Sequence, residues 1–312
     1  MDIFLEFLKS ILFGLLEGIT EWLPISSTGH MIVLESFWGF TSSQGKDFFD
    51  FYLVLIQLGA ILAVILTFFH ELWPFGASRS HEEKKEIWLT WLKIFVASIP
   101  AGIVGVFFGD WLEEHLYGYL TVAITLIVYG VFFLALEYGL KGWAAKNKEN
   151  NELAKREWFR IHDVHSISIP MALWIGLAQV LALIPGTSRS GITICVALLL
   201  AIDRETSAKF SFYLSIPAML GGTLIKSIQY GLHVKQGNAL PLTGIQVGLI
   251  LVGMAVAFVV SLFVVRFFLK ILKKHTFIGF GYYRIAFGTL LLILFFALPS
   301  LQTSLPIVVF PY

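Results

Sequence analysis

The segment EGITEWLPISSTGH, residues 17–30, gathers two carboxylates, four hydroxyls and an imidazole inside an otherwise apolar stretch. Glu17 and Glu21 are four apart, so on a helix they share a face. Two like charges on one apolar face repel and are costly to desolvate, unless a cation or a shared proton offsets them. Oxygen-only ligands suit Mg²⁺ or Ca²⁺ better than zinc, so Glu17 and Glu21 are the expected ligands of a divalent cation. The plainer alternative is a pair that merely lines water. Pro24 breaks the helix, Ser26, Ser27 and Thr28 then present hydroxyls, and Gly29 is expected to supply an unusual backbone angle before His30. Alone, the hydroxyls read as a helix cap before GHMIVL. With Glu17, Glu21 and His30 beside them they read as a nucleophile, Ser27, with a nearby acid/base, His30.

A second polar cluster, PGTSRSG at 185–191, sets Arg189 between glycines and hydroxyls just before the helical run ITICVALLL. Exposed amides at a helix start bind phosphate, and a guanidinium fork adds bidentate, charge-assisted bonds. Gly186, Thr187, Ser188, Ser190 and Gly191 are therefore expected to contact an anion together with Arg189. The alternative is an arginine that only neutralises Glu17 or Glu21. An acidic pair, a hydroxyl, an imidazole and an arginine-bearing anion loop are the parts for phosphoryl transfer to water.

These clusters sit in a chain that is 57% hydrophobic and 14% charged, about half the charge of a soluble domain. Such a composition predicts an all-α integral membrane protein in contact with membrane lipid, and no nucleic-acid partner. The sole cysteine, Cys195, excludes an internal disulfide and a cysteine metal cage. The acidic N-terminus, without a small-residue cleavage site, does not read as a removable signal peptide. Apolar runs near 51–70, 88–109, 117–138, 208–229, 243–268 and 282–300 are each long enough to span a bilayer, giving about six spans. Two more, near 3–36 and 168–201, are broken at their middle and predict re-entrant hairpins; broken helices at membrane depth need protein or a wet cavity beside them. Basic residues concentrate in three loops, at Lys84 and Lys85, at 141–160, and at Lys270, Lys273 and Lys274, whereas DWLEEHL at 110–116 and the tail SLPIVVFPY carry none. The three basic loops are expected to be cytoplasmic.

A shift of 162 positions carries Gly14, Glu17, Ser26, Thr28 and Gly29 onto Gly176, Gln179, Ser188, Ser190 and Gly191. The order of these matches predicts two repeats, 1–140 and 168–312, joined by a cytoplasmic linker at 141–167. One hairpin and three spans make an odd number of crossings, so the second repeat is expected to be inverted, with the two hairpin tips meeting near the midplane. Gln179, the mirror of Glu17, is a further candidate phosphate donor. Gln57 is expected either to orient His30 or to bond across helices, and the glycines of AMLGGTL at 218–224 to allow close packing. His162 and His165 share a metal-like spacing but read as solvated loop residues.

The motifs GLLEGITEWLPISSTGHMIV and PGTSRSG, with IQLGAILAV at 56–64 and KFSFYLSIP at 209–217, make the chain resemble the bacterial undecaprenyl-diphosphate phosphatases, also called the bacitracin-resistance family. The resemblance runs from about residue 3 to 300. It implies hydrolysis of a polyprenyl diphosphate lipid, undecaprenyl diphosphate, to the monophosphate, which recycles the carrier for peptidoglycan synthesis. It also implies a divalent-cation requirement and a site in the bacterial cytoplasmic (inner) membrane that opens toward the periplasm. By motif, Glu17 and Glu21 are the acidic pair, Ser27 the nucleophilic or phosphate-contacting hydroxyl, His30 the acid/base, and Ser188, Arg189 and Ser190 the diphosphate grip. The sequence is compatible with a homodimer. The alternative class is a flippase or transporter of a phosphorylated lipid, which inverted repeats also serve.

Overall fold

The computed structural model describes residues 3–40, 46–76, 79–149 and 158–297. Lys155 and Arg156 of the second basic loop, and the uncharged tail, lie outside them. The described chain is helical: α1 (Ile3–Thr20), α2 (Ser27–Trp38), α3 (Lys46–Thr67), a one-turn α4 (Phe69–Leu72), α5 (His81–Leu116), α6 (Tyr119–Glu149), α7 (Ile169–Gln179), α8 (Arg189–Leu199), α9 (Arg204–Gln236), α10 (Gly244–Leu272) and α11 (Ile278–Ala297). Six of these, α3, α5, α6, α9, α10 and α11, contain segments long and apolar enough to cross a membrane. They coincide with the six runs expected from sequence. α7 and α8, of 11 residues each, rise only about 16 Å, half a bilayer's hydrocarbon core.

Caps set several of the boundaries. The Ser168 hydroxyl accepts from the Met171 amide at the start of α7, Asp203 accepts from Thr206 at the start of α9, and Thr243 with Gln246 forms a capping box for α10. α9 stops at Gly237, whose φ of 77° is the left-handed conformation that glycine adopts without strain. Helices α5 and α6 run well beyond their apolar cores. Lys84, Lys85 and Lys141 are therefore helical rather than in loops, because runs such as EEKKE propagate a helix as readily in water.

The protein exposes apolar faces and, within a largely hydrophobic interior, buries a set of polar residues. Leu92, Phe95, Ile99, Ile103 and Phe107 line an exposed face of α5, while Glu17, Glu21, Gln57, Arg189, Ser190, Ser211 and Arg284 are buried. Lipid on the outside removes the usual penalty for exposed hydrocarbon, and buried polar groups then find each other. Close packing depends on small residues at crossings: a Cβ at Gly176 in α7 would collide with the Ala97 carbonyl of α5. Gly221 of the AMLGGTL stretch is different, since nothing lies within 4 Å of where its Cβ would stand; the expected close packing does not occur there. Away from the middle of the fold, Glu137 of α6 accepts from Arg204 Nη2 at 2.6 Å and from the Phe277 amide at 2.9 Å, joining α6, α9 and the start of α11.

Gly176→Ala should lower thermal stability in detergent by about 1–3 kcal/mol through overpacking. Gly221→Ala should leave it within about 0.5 kcal/mol of wild type. Equal melting temperatures for the two variants would contradict this packing.

Candidate active site

Two serine turns build the site. Ser26 has φ 71° and ψ 100°, and Ser188 has φ 70° and ψ 111°: the same strained, left-handed backbone, 162 residues apart. The unusual angle falls on the serines and not, as expected, on Gly29, because the side chain can then cap the helix that follows. Ser26 Oγ accepts from the Gly29 amide at 3.4 Å and Ser188 Oγ from the Gly191 amide at 3.2 Å. A non-glycine residue in this region costs about 1–3 kcal/mol, and such strain concentrates where backbone must be aimed. Before the second turn Gly186 takes φ 87°, and a Cβ there would strike Thr125 of α6.

The turns meet. A small pocket is lined by Glu21, Ser26, Ser27, Thr28 and Gln57 from the first half and by Ala182, Gly186, Ser188 and Arg189 from the second. Glu21 stands at its centre. Its Oε1 accepts from Arg189 Nη2 at 2.9 Å, and its Oε2 accepts from the Ser27 hydroxyl at 2.7 Å. Arg189 also donates through Nη1 to the Ser211 carbonyl of α9 at 2.8 Å. Arg189 is 3% and Glu21 8% exposed, so this is a buried, charge-assisted pair across the two halves. Ser190 turns away from the pocket and donates to the Glu21 and Leu23 carbonyls, both at 3.3 Å, which ties one turn to the other.

His30 is placed elsewhere. Its Nδ1 lies 2.7 Å from the Ser26 carbonyl, which can only accept, so Nδ1 carries the proton. In the neutral ring Nε2 then accepts from the Tyr283 hydroxyl at 2.6 Å, and the imidazole stacks on Phe287 with centroids 4.3 Å apart. The group bonded to the Ser27 hydroxyl is Glu21, not His30. Gln179 is fully buried outside the pocket, beside a separate groove between α5 and α9 that Ser98, Gly221 and Lys226 also line. Thr187 is buried, and Gly191 serves as the capped amide of α8. His162 and His165 go to separate partners, Asp203 at 2.8 Å and Thr90 at 2.9 Å.

α11 contributes two residues that the sequence reading did not single out. Besides Tyr283, it supplies Arg284, fully buried, which donates to the carbonyls of Pro24 at 3.2 Å, Gly186 at 2.7 Å and Thr187 at 3.0 Å. The available signal was an arginine inside an apolar run. An expected span of 282–300 put it at the membrane edge, where arginine needs no special explanation; the helix in fact begins at Ile278.

Glu17 does not line the pocket, and both Glu21 oxygens hold Arg189 and Ser27, so the carboxylate of Glu17 is what this site offers a divalent cation. Glu17 is 2% exposed and its Oε1 has no hydrogen-bond partner, an oxygen for which a hard cation is a suitable partner. Among the described residues no group of three or more His, Cys, Asp or Glu side chains forms a closed cage.

A family model described as Bacitracin resistance protein BacA matches residues 10–290. An undecaprenyl-diphosphatase of Lactococcus lactis subsp. cremoris is 43% identical over 296 residues, covering 93% of this chain and 97% of that protein. One from Acetivibrio thermocellus is 42% identical over 293 residues, with 94% and 99% covered. One from Enterococcus faecalis is 41% identical over 290 residues, with 93% and 98% covered. The chain belongs to the bacitracin resistance protein BacA family.

Glu21→Ala removes the carboxylate from a buried guanidinium and should cost about 3–5 kcal/mol of stability. Adding Arg189→Met should recover most of it. A double variant no more stable than Glu21→Ala in chemical denaturation would show that the two charges are not coupled.

Proposed function

We propose that this member of the BacA family is an undecaprenyl-diphosphatase, a membrane hydrolase that converts undecaprenyl diphosphate to undecaprenyl phosphate and inorganic phosphate. Its relatives bear that name, and the observation that carries the reading is Glu21 bonded at once to Arg189 and to the Ser27 hydroxyl between two helix N-termini. The terminal phosphate seats against the amides that open α2 and α8, where helix dipoles and exposed N–H groups favour an anion. Arg189 offsets the charge on its equatorial oxygens. Thr28, Gly186 and Ser188, which line the same pocket, complete the cradle.

Ser27 is the nucleophile and Glu21 its base. As the Ser27 Oγ–P bond forms, its proton passes to Glu21 Oε2, the P–O bond to the bridging oxygen breaks, and the electron pair leaves on undecaprenyl phosphate. That leaving group is already a stable anion and needs no protonation, which accords with an imidazole held away from the pocket. Water then attacks phosphorus, Glu21 returns its proton to Ser27 Oγ, and phosphate departs with one water proton while the other goes to solvent. His30 holds the Ser26 carbonyl and thereby the turn. A divalent cation, Mg²⁺ or Ca²⁺, on Glu17 supplies further neutralisation of phosphate charge when bound.

The bacterial cytoplasmic membrane is the assigned location, with the basic segments cytoplasmic and the pocket open to the periplasm. The uneven distribution of Lys and Arg supports this orientation. The halves 1–140 and 168–312 are read as inverted repeats about the 141–167 linker, with α1–α2 and α7–α8 as re-entrant hairpins. The shortness of α7 and α8 and the matched serine turns support that reading. Transport without hydrolysis is disfavoured, since a carrier has no use for a hydroxyl bonded to a buried carboxylate.

Purified protein with undecaprenyl diphosphate should release phosphate, and Glu21→Gln or Arg189→Ala should reduce kcat/KM at least about 1000-fold while remaining folded. Near-normal release by either variant would reject the site. Chelation should abolish turnover and added Mg²⁺ or Ca²⁺ restore it; indifference to chelator would remove the cation. Ser27→Ala should abolish turnover, and acid quenching of wild type should trap phosphoserine at position 27. Turnover by Ser27→Ala would mean that water attacks directly.

A further inference from the structure

We infer that Arg284 is a positioning residue for phosphoryl transfer: one buried guanidinium, bonded to the backbone of both serine turns, fixes the spacing between Ser27 and Arg189. The inference rests on the hydrolase reading above.

The geometry is specific. Arg284 is fully buried, and it donates to carbonyls: Pro24, two residues before Ser26, and Gly186 with Thr187, directly before Ser188. Nη1 reaches the first turn and Nη2 the second. Phe133 and Tyr129 of α6 stand 5.4 Å and 6.0 Å from its guanidinium carbon, so aromatic faces hold the cation while its N–H groups face the turns. Each turn is strained at its serine and is followed at once by the residue that matters, Ser27 in one case and Arg189 in the other. A turn of that kind, released at the carbonyls ahead of it, can relax toward ordinary backbone angles, and Ser27 or Arg189 would swing with it. A planar fork with donors at fixed angles suits the task. An ammonium on a flexible stem keeps the charge but cannot hold two turns at a set separation. Arg284 does not itself line the pocket and meets it only through the Gly186 carbonyl, so its effect passes through the turns rather than through direct contact with phosphate.

The test compares wild type, Arg284→Lys and Arg284→Gln in detergent with undecaprenyl diphosphate, alongside thermal unfolding. Wild type must release phosphate; if it does not, the hydrolase reading fails, and this inference with it. With wild type active, Arg284→Lys should remain folded, lose kcat by about 100-fold or more, and keep a near-normal KM, since misplacing reacting groups by about an ångström costs that much. Arg284→Gln should lose at least as much. Normal kcat in Arg284→Lys overturns the inference, and so does a loss confined to KM, which would make Arg284 an attractor of anions by charge alone. Failure of Arg284→Lys to fold also overturns it, by showing a purely structural role.

Discussion

The ion pair between Glu21 and Arg189 is the constraint around which the rest is arranged. Either charge left alone at these buried positions is costly, because desolvating a lone ion costs several kcal/mol. Each finds its counterpart only when the broken end of α1 meets the start of α8. The bond therefore favours the meeting of the two turns. Ser190, donating to carbonyls of the opposite turn, adds to that preference with neutral groups. Irregular backbone of this kind survives inside a membrane protein only when its polar atoms are taken up, and here much of that work is done by the other turn.

The surrounding helices make the meeting rigid. α9 provides the Ser211 carbonyl for Arg189, α6 presents Thr125 to the Pro185 carbonyl at 2.7 Å, and α11 reaches both turns through Tyr283 and Arg284. Most of these contacts come from polar side chains set singly among the apolar residues on the inner faces of long helices. The site is thus carried by regular elements rather than by free loops, which favours a fixed geometry over an adjustable one.

Much of the architecture was legible because the membrane imposes simple rules. Uninterrupted apolar runs of sufficient length appear as helices, and Pro24 and Pro185 with their polar neighbours mark where two others break. The mutual approach of Glu21, Ser27 and Arg189 was anticipated from their residue types, since buried opposite charges seek one another. Partner choice was harder. His30 is near Ser27 in the chain, yet helical geometry sends its ring back to the Ser26 carbonyl and across to Tyr283, a residue 253 positions away. Long-range pairings of this sort leave no local trace. Gln179 lies in a different groove from Glu21 for a related reason: equivalence under the 162-residue shift fixes a position along the helix, not the pocket into which a side chain falls.

Positions 27 and 189 are themselves equivalents under the 162-residue shift, each the first residue after a serine turn of the same conformation. Two identical copies of such a half, docked face to face, would confront hydroxyl with hydroxyl or guanidinium with guanidinium. Within one polypeptide each position is free of the other's choice, so that a single local blueprint can hold a hydroxyl on one side and a guanidinium on the other. Asymmetry at one matched address, rather than any novelty of shape, is what brings a hydroxyl and a guanidinium onto the two oxygens of one carboxylate.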